Sequence, residues 1–222
     1  MKRLVLVRHG ESVYNGEARI QGQRCAGLSE LGHAQAKLTA LTLADAYPQA
    51  RLVTSDLQRT LETTAPLEAA LGRRAAPDPR IRERSFGRWE GSLRTEVIAA
   101  EPERWRRWLE GEDVISEVGG ESSDELADRV VPVYHELLAA MVDGEVTIAV
   151  THGGPIWHGL HRLLALPRPT LGGVGNCAVT VLDASDDGYV SLSSWNELAH
   201  LPLDLRSTWT PANRADGPPV GR

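Results

Sequence analysis

Two apolar runs in this chain end in the same way. "LVLV" (Leu4 to Val7) leads into Arg8-His9-Gly10, and "TIAV" (Thr147 to Val150) leads into Thr151-His152-Gly153-Gly154. One His-Gly after a strand is weak evidence, because polar residues and glycine commonly close strands. Two of them, each leaving a buried parallel-type strand at its carboxyl end, put two imidazoles on one rim of a sheet. Open α/β sheets bind their ligands outside that rim. A third run, "RLVTS", ends in Ser55 and leads to Arg59, about one helical turn after Asp56. A helix start there itself favours anions.

Two His and two Arg on one rim suit a phosphoryl group in transfer, which spreads negative charge over its equatorial oxygens. Arg8 and Arg59 can clamp those oxygens in bidentate fashion. One imidazole can attack phosphorus and hold it covalently. The other can hydrogen-bond the same oxygens and stabilise the developing charge. Gly10 and Gly153 let backbone amides approach. A leaving alkoxide also needs a proton. Glu83 in "RIRERSFGRWEG" is the candidate acid, with Glu11 and Glu90 as rivals near the same loops.

The elements that must hold these groups follow from pattern. Leu4–Val7, "ARLVTS" and "VTIAVTH" predict short buried strands. A helix is predicted from about Ser29 to Ala46, capped by Ser29, with Ala34, Leu38 and Leu41 marking its apolar stripe. Another opens near Asp56 and is interrupted or restarted at Pro66. "LGRRAAPDPR" predicts loop. "RTEVIAAEPERWRRWLEGED" is helical with a restart at Pro102, and a helix begins near Glu121 and Ser122, with Pro132 predicting a kink. "GGPIWHGLHRLLAL" turns directly into helix, and "NCAVTVLDAS" and "GYVSLSSW" predict a closing hairpin across "DDG". Strands alternating with helices argue an α/β fold with a mostly parallel central sheet. Residues 88–120, rich in Trp and Arg, form the candidate lid or inserted subdomain within a 1–206 domain, and 207–222 predicts a poorly ordered tail.

The chain has 222 residues, 41% hydrophobic and 24% charged, with a net charge of −6. That balance argues against nucleic acid or an anionic membrane as partner but permits a local cationic pocket. Cys25 and Cys177 are too few and too far apart for a disulfide framework or a metal site. "MKRLVLV" is too short for a signal-peptide core, and no run is long enough to span a membrane. The expected address is the cytoplasm, the expected partner a small phosphorylated substrate, and a homodimer stays open. No cofactor and no metal are expected.

"LVRHGES", "SDLQRT", "RIRERSFGRWEG", "GGES" and "VTHGG" occur in the order and near the spacing of the histidine phosphatase superfamily, the phosphoglycerate mutase-like proteins. The resemblance runs to about residue 203. It implies a three-layer α/β/α sandwich and a phosphohistidine intermediate. His9 then resembles the nucleophile, Arg8, Arg59 and His152 the phosphate pocket, and Glu83 the proton donor. Asn15 and Gln21-Gly22 resemble further phosphate contacts. A bond from the His9 Nδ1–H to a backbone carbonyl would leave Nε2 free to attack. The mutases typically carry Tyr where Phe86 stands, Lys near Arg94, and His-Gly-Asn where His152-Gly153-Gly154 stands. These departures point to a phosphatase, with a phosphoglycerate mutase or sugar bisphosphatase as the alternative and a non-catalytic phospho-ligand binder as a third class.

Other conspicuous residues have plainer roles. His158 and His161 lack ligand partners and read as core or surface, and His200 as structural. Trp105 and Trp108 either pack the lid or line the leaving-group pocket. Arg104, Arg106 and Arg107 form a solvated face from which one could reach a second anionic group.

Overall fold

The computed structural model describes residues 1–24 and 26–207, so Cys25 and all but the first residue of the expected tail lie outside the described residues. In chain order the strands and α-helices are β1 (Lys2–Arg8), α1 (Val13–Gly16), α2 (Glu30–Ala46), β2 (Arg51–Thr54), α3 (Gln58–Leu71), β3 (Ala76–Pro77), α4 (Arg94–Ala100), α5 (Pro102–Leu109), α6 (Ser123–Ala139), β4 (Val146–Thr151), α7 (Gly153–Leu163), β5 (Val179–Ala184) and β6 (Val190–Glu197). The sheet runs β3-β2-β4-β1-β5-β6. The first four strands in that order pair in parallel, and β5 and β6 close the far edge as an antiparallel hairpin.

Alternation along β1 divides the interior into two layers, because successive side chains leave a strand on opposite faces. Leu4 and Leu6 face one cluster with Leu126, Val130 and Tyr134 of α6 and Ile156 and Leu160 of α7. Val5 and Val7 face the other, with Ala40 and Leu43 of α2 and Leu67 of α3. The result is the α/β/α sandwich, with the site at the edge where β1, β2 and β4 all end.

The structure departs from the sequence pattern at several points. On α2 the buried face is Gly32, Gln35, Ala36, Thr39, Ala40 and Leu43, whereas Leu41 is 58% exposed. The inner face is lined by small residues that let α2 and α3 approach, so the larger leucines mark the wrong stripe. Both prolines lie inside continuous helices, Pro66 in α3 and Pro132 in α6. Part of the expected loop after α3 is a strand: Ala76 and Pro77 pair with Val53 and Thr54 at the sheet edge, where a proline's missing N–H costs no ladder bond. Ser29 caps α2 as its position predicts, and Ser122 caps α6 in a reciprocal pair with Glu125.

The 88–120 segment carries its own small core. Trp89, Val97, Trp105, Trp108, Val114, Ile115 and Val118 pack with Ile20 and Phe86. Trp105 and Trp108 meet edge to face with ring centroids 4.9 Å apart, so they pack the small core of this segment. Arg104, Arg106 and Arg107 pair outward with Glu101, Glu103, Glu110, Glu112 and Glu117.

Candidate active site

Parallel pairing sets the centre of the site. β1 and β4 are in register with Arg8 opposite Thr151, so the next residues, His9 and His152, emerge side by side. The His9 amide donates to the Thr151 carbonyl at 2.9 Å and locks that register one residue past the strands. Both imidazoles are buried, with centroids 5.2 Å apart. β2 lies on the other side of β4, and the Ser55 amide donates to the Val150 carbonyl at 2.9 Å. That brings the Ser55 hydroxyl to 2.9 Å from His152 Nε2.

His9 Nδ1 lies 2.6 Å from the Gly10 carbonyl and, facing an acceptor, carries the proton. Nε2 is then a lone-pair nitrogen, and it accepts from Arg59 Nε at 3.1 Å. Arg59 is the second residue of α3 and fully buried. Its Nη2 donates to the Gly22 carbonyl at 2.9 Å and its Nη1 to the Arg24 carbonyl at 3.2 Å. One guanidinium therefore joins the nucleophile candidate to the Gln21–Arg24 loop. Arg8 is also buried and donates to the Val174 carbonyl. Burial, with Arg59 and Arg8 adding to it, holds the His9 pKa well below the ordinary 6.5. His152 is depressed likewise, by burial first and then by Arg59 and by His9 itself. Both rings are neutral at physiological pH.

The other candidates fall around this pair. Asn15 Oδ1 accepts from the Ser12 amide at 3.3 Å, the Ser12 hydroxyl at 3.2 Å and Asn176 Nδ2 at 3.3 Å. With the oxygen so engaged, the free face of the amide is its NH2 donor. Gln21 is buried with no hydrogen-bond partner for Oε1 among the described residues. Gly22 adopts φ +56°, which suits glycine, and packs directly against the Glu90 carboxylate. Gly153 is the first residue of α7, whose N-terminus opens onto the rim behind His152.

Glu83 is buried. Its Oε1 accepts from the Arg84 amide at 2.8 Å and its Oε2 from the Gly154 amide at 3.3 Å. Its segment is tied to the sheet by the Thr151 hydroxyl, which donates to the Ile81 carbonyl at 2.7 Å. The two rival acids are engaged elsewhere. Glu90 Oε1 accepts from the Phe86 amide at 2.9 Å and the Gln23 amide at 3.1 Å, so it joins two loops. Glu11 Oε1 accepts from the Ser29 hydroxyl at 2.9 Å.

Sequence pattern missed three contributors. Asn176 Nδ2 bridges Asn15 to the His9 carbonyl at 3.1 Å. The Thr63 hydroxyl accepts from the Gly10 amide at 3.0 Å. Ser55 was visible as a strand end, but its contact with His152 depends on β2 and β4 being neighbours. His158 and His161 are core residues, and His200 bonds Thr39 through Nε2. Together the rim offers a neutral imidazole nitrogen with a lone pair, two buried guanidinium groups, a second neutral imidazole, a helix N-terminus and a carboxyl group. Such a set can receive a phosphoryl group and move a proton.

Comparison with known proteins points the same way. Residues 4–198 match the family model described as histidine phosphatase superfamily (branch 1). A glucosyl-3-phosphoglycerate phosphatase of Mycolicibacterium vanbaalenii is 38% identical over 187 residues, covering 80% of this chain and 82% of that protein. A metal-independent phosphoserine phosphatase of Arabidopsis thaliana is 32% identical over 200 residues, covering 89% of this chain and 82% of that protein. The solved structure of a mycobacterial glucosyl-3-phosphoglycerate phosphatase with VO3 superimposes with a TM-score of 0.80 at 35% identity, covering 88% of this chain and 99% of that one.

Proposed function

The chain belongs to the histidine phosphatase superfamily and is a phosphomonoester hydrolase, and we propose that it works through a phosphohistidine on His9. His9 Nε2 attacks phosphorus, the P–O bond to the leaving group breaks, and Glu83 gives its proton to the departing oxygen. Water then attacks the phosphohistidine, Glu83 takes the proton back, and the P–N bond breaks to release inorganic phosphate. Arg8, Arg59, His152 and the amide of Asn15 hold the equatorial oxygens, with the Gly22 and Gly153 amides and Gln21 beside them. The single observation that carries this is the His9 ring: Nδ1 is held by the Gly10 carbonyl while Nε2 faces Arg59. The charge a divalent ion would bring is supplied by arginine.

The substrate class is a small phosphorylated organic acid. Phosphoglycerate and phosphoserine, named in the two relatives, both carry a carboxylate close to the phosphate ester. Arg24 supports an acidic substrate. It closes the loop held by Arg59, and its guanidinium lies next to Gly91. The phosphatase reaction is favoured over a mutase because Gly154 follows His152-Gly153 and Phe86 stands where the mutase pattern has tyrosine. No helix among the described residues is long and apolar enough to cross a membrane.

The test is a panel of phosphorylated metabolites ranked by kcat/KM, with phosphoenzyme quenched in alkaline detergent and mapped by peptide. Phosphorylated acids at the head of the ranking and label on His9 are expected. Label on His152, or phosphoglycerate isomerisation faster than hydrolysis, would overturn the assignment.

A further inference from the structure

Gly154 stands two residues past the second histidine, at the second position of α7, where no phosphate contact is assigned to it. Its amide donates to Glu83 Oε2 at 3.3 Å. A Cβ built on Gly154 would lie 2.1 Å from Glu83 Oε1 and 3.3 Å from both Glu83 Cδ and Leu126 Cδ2. Real Cβ atoms do not sit at 2.1 Å from an oxygen, so any side chain here forces something to move. Leu126 is fully buried in the core between α6 and the sheet and has nowhere to go. Glu83 is the flexible partner, and the atom in the way is one of its two carboxyl oxygens. The bare Cα therefore makes the space in which the carboxyl group sits.

We infer that Gly154 is a positioning residue for the general acid: its missing side chain lets Glu83 seat its carboxyl against the α7 N-terminus, at the depth from which it can reach the leaving oxygen. The inference rests on the assignment of Glu83 as proton donor. It assigns a cause to the Gly-Gly that follows His152. The amide adds a second effect: a helix N-terminus favours the anionic carboxylate that remains once the proton has left.

The experiment compares wild type, Glu83→Gln, Gly154→Ala and the double variant, using glycerol phosphate and nitrophenyl phosphate. An alkoxide needs the proton as it leaves, whereas nitrophenolate hardly does. Glu83→Gln is expected to slow the alkyl ester far more than the aryl ester. Gly154→Ala is expected to show the same signature at smaller scale: about 10- to 100-fold on the alkyl ester and within about 3-fold on the aryl ester. Its thermal midpoint should stay within several degrees of wild type, since the group that yields is the Glu83 side chain and not the Leu126 core. The double variant should fall no further than Glu83→Gln alone. Equal losses on both esters in Gly154→Ala, no loss, or multiplicative losses in the double variant would overturn the inference. Equal losses in Glu83→Gln would instead overturn the assignment of the acid. If Gly154→Ala does not fold, Glu83→Ala with Gly154→Ala removes the oxygen the methyl meets. Recovery of folding in that pair supports the inference, and failure overturns it.

Discussion

The His9 and His152 rings meet at an angle of 61°, with centroids 5.2 Å apart, so a charge on His9 opposes one on His152. Two imidazoliums at that distance, beside Arg8 and Arg59 and out of water, would repel strongly. Burial and the two guanidinium groups thus keep both rings neutral, which is the state a nitrogen nucleophile requires. A phosphate dianion entering between the guanidiniums reverses the field and raises both pKa values.

That sign change is measurable. In the free protein the His9 imidazole is expected to titrate well below 6.5, and saturating inorganic phosphate or vanadate should move it upward. NMR of ring-labelled histidine follows both. Titration of His9 near 6.5 without ligand would contradict the burial that the fold imposes.

Stability should fall on mild acidification. His9, His152 and His158 all have folded pKa values well below 6.5. Below that pH the unfolded chain takes up protons that the folded chain refuses. Stability is therefore fully present above 6.5 and is lost as the pH falls from there toward the depressed folded values. Each histidine contributes a slope of about 1.4 kcal/mol per pH unit. Urea midpoints from neutral pH to pH 5 should decline steeply, and less so in His158→Gln. A flat profile over that range would refute the prediction.

His9→Ala should abolish turnover and leave the fold in place, because the ring lies past the end of β1 and outside the two hydrophobic clusters that hold the sheet. Quenched wild type should carry acid-labile, base-stable phosphate at residue 9 and the variant none. Residual phosphoenzyme in His9→Ala would move the nucleophile elsewhere.

Arg59→Met should be worse than the loss of a phosphate contact alone. It removes the charge facing the transferring oxygens and also frees the Gly22 and Arg24 carbonyls. A loss on the order of 10²–10³ in kcat is expected from the missing electrostatic stabilisation. A thermal midpoint depressed by several degrees should accompany it. Loss of activity with an unchanged midpoint would show that the Gln21–Arg24 loop needs no anchor.

Trp108→Ala should destabilise the small core of the 88–120 segment, by about 3–5 kcal/mol for a buried tryptophan. At temperatures where the variant stays folded, nitrophenyl phosphate hydrolysis should persist within a few-fold. Abolished aryl-ester activity in a folded variant would place Trp108 in the pocket.

Much of this molecule was written locally. The apolar runs ending at Arg8 and Thr151 announced two parallel strands. The His-Gly pairs and Arg59 announced groups that the fold does bring together, because residue type and spacing from a strand end suffice to put them on one rim. Other features depended on which strands are neighbours and in what register. Ser55 reaches His152 because β2 pairs with β4. Asn176 reaches both Asn15 and His9 from the turn before β5, far away in sequence. The inner face of α2 was decided by α3, since small residues permit contact that hydrophobic size does not reveal. Gly154 reads locally as helix punctuation. Only when Glu83, 71 residues earlier, packs onto its bare Cα does the glycine acquire a reason. Local pattern fixes which groups stand at a rim; excluded volume between distant segments decides how far each of them can reach.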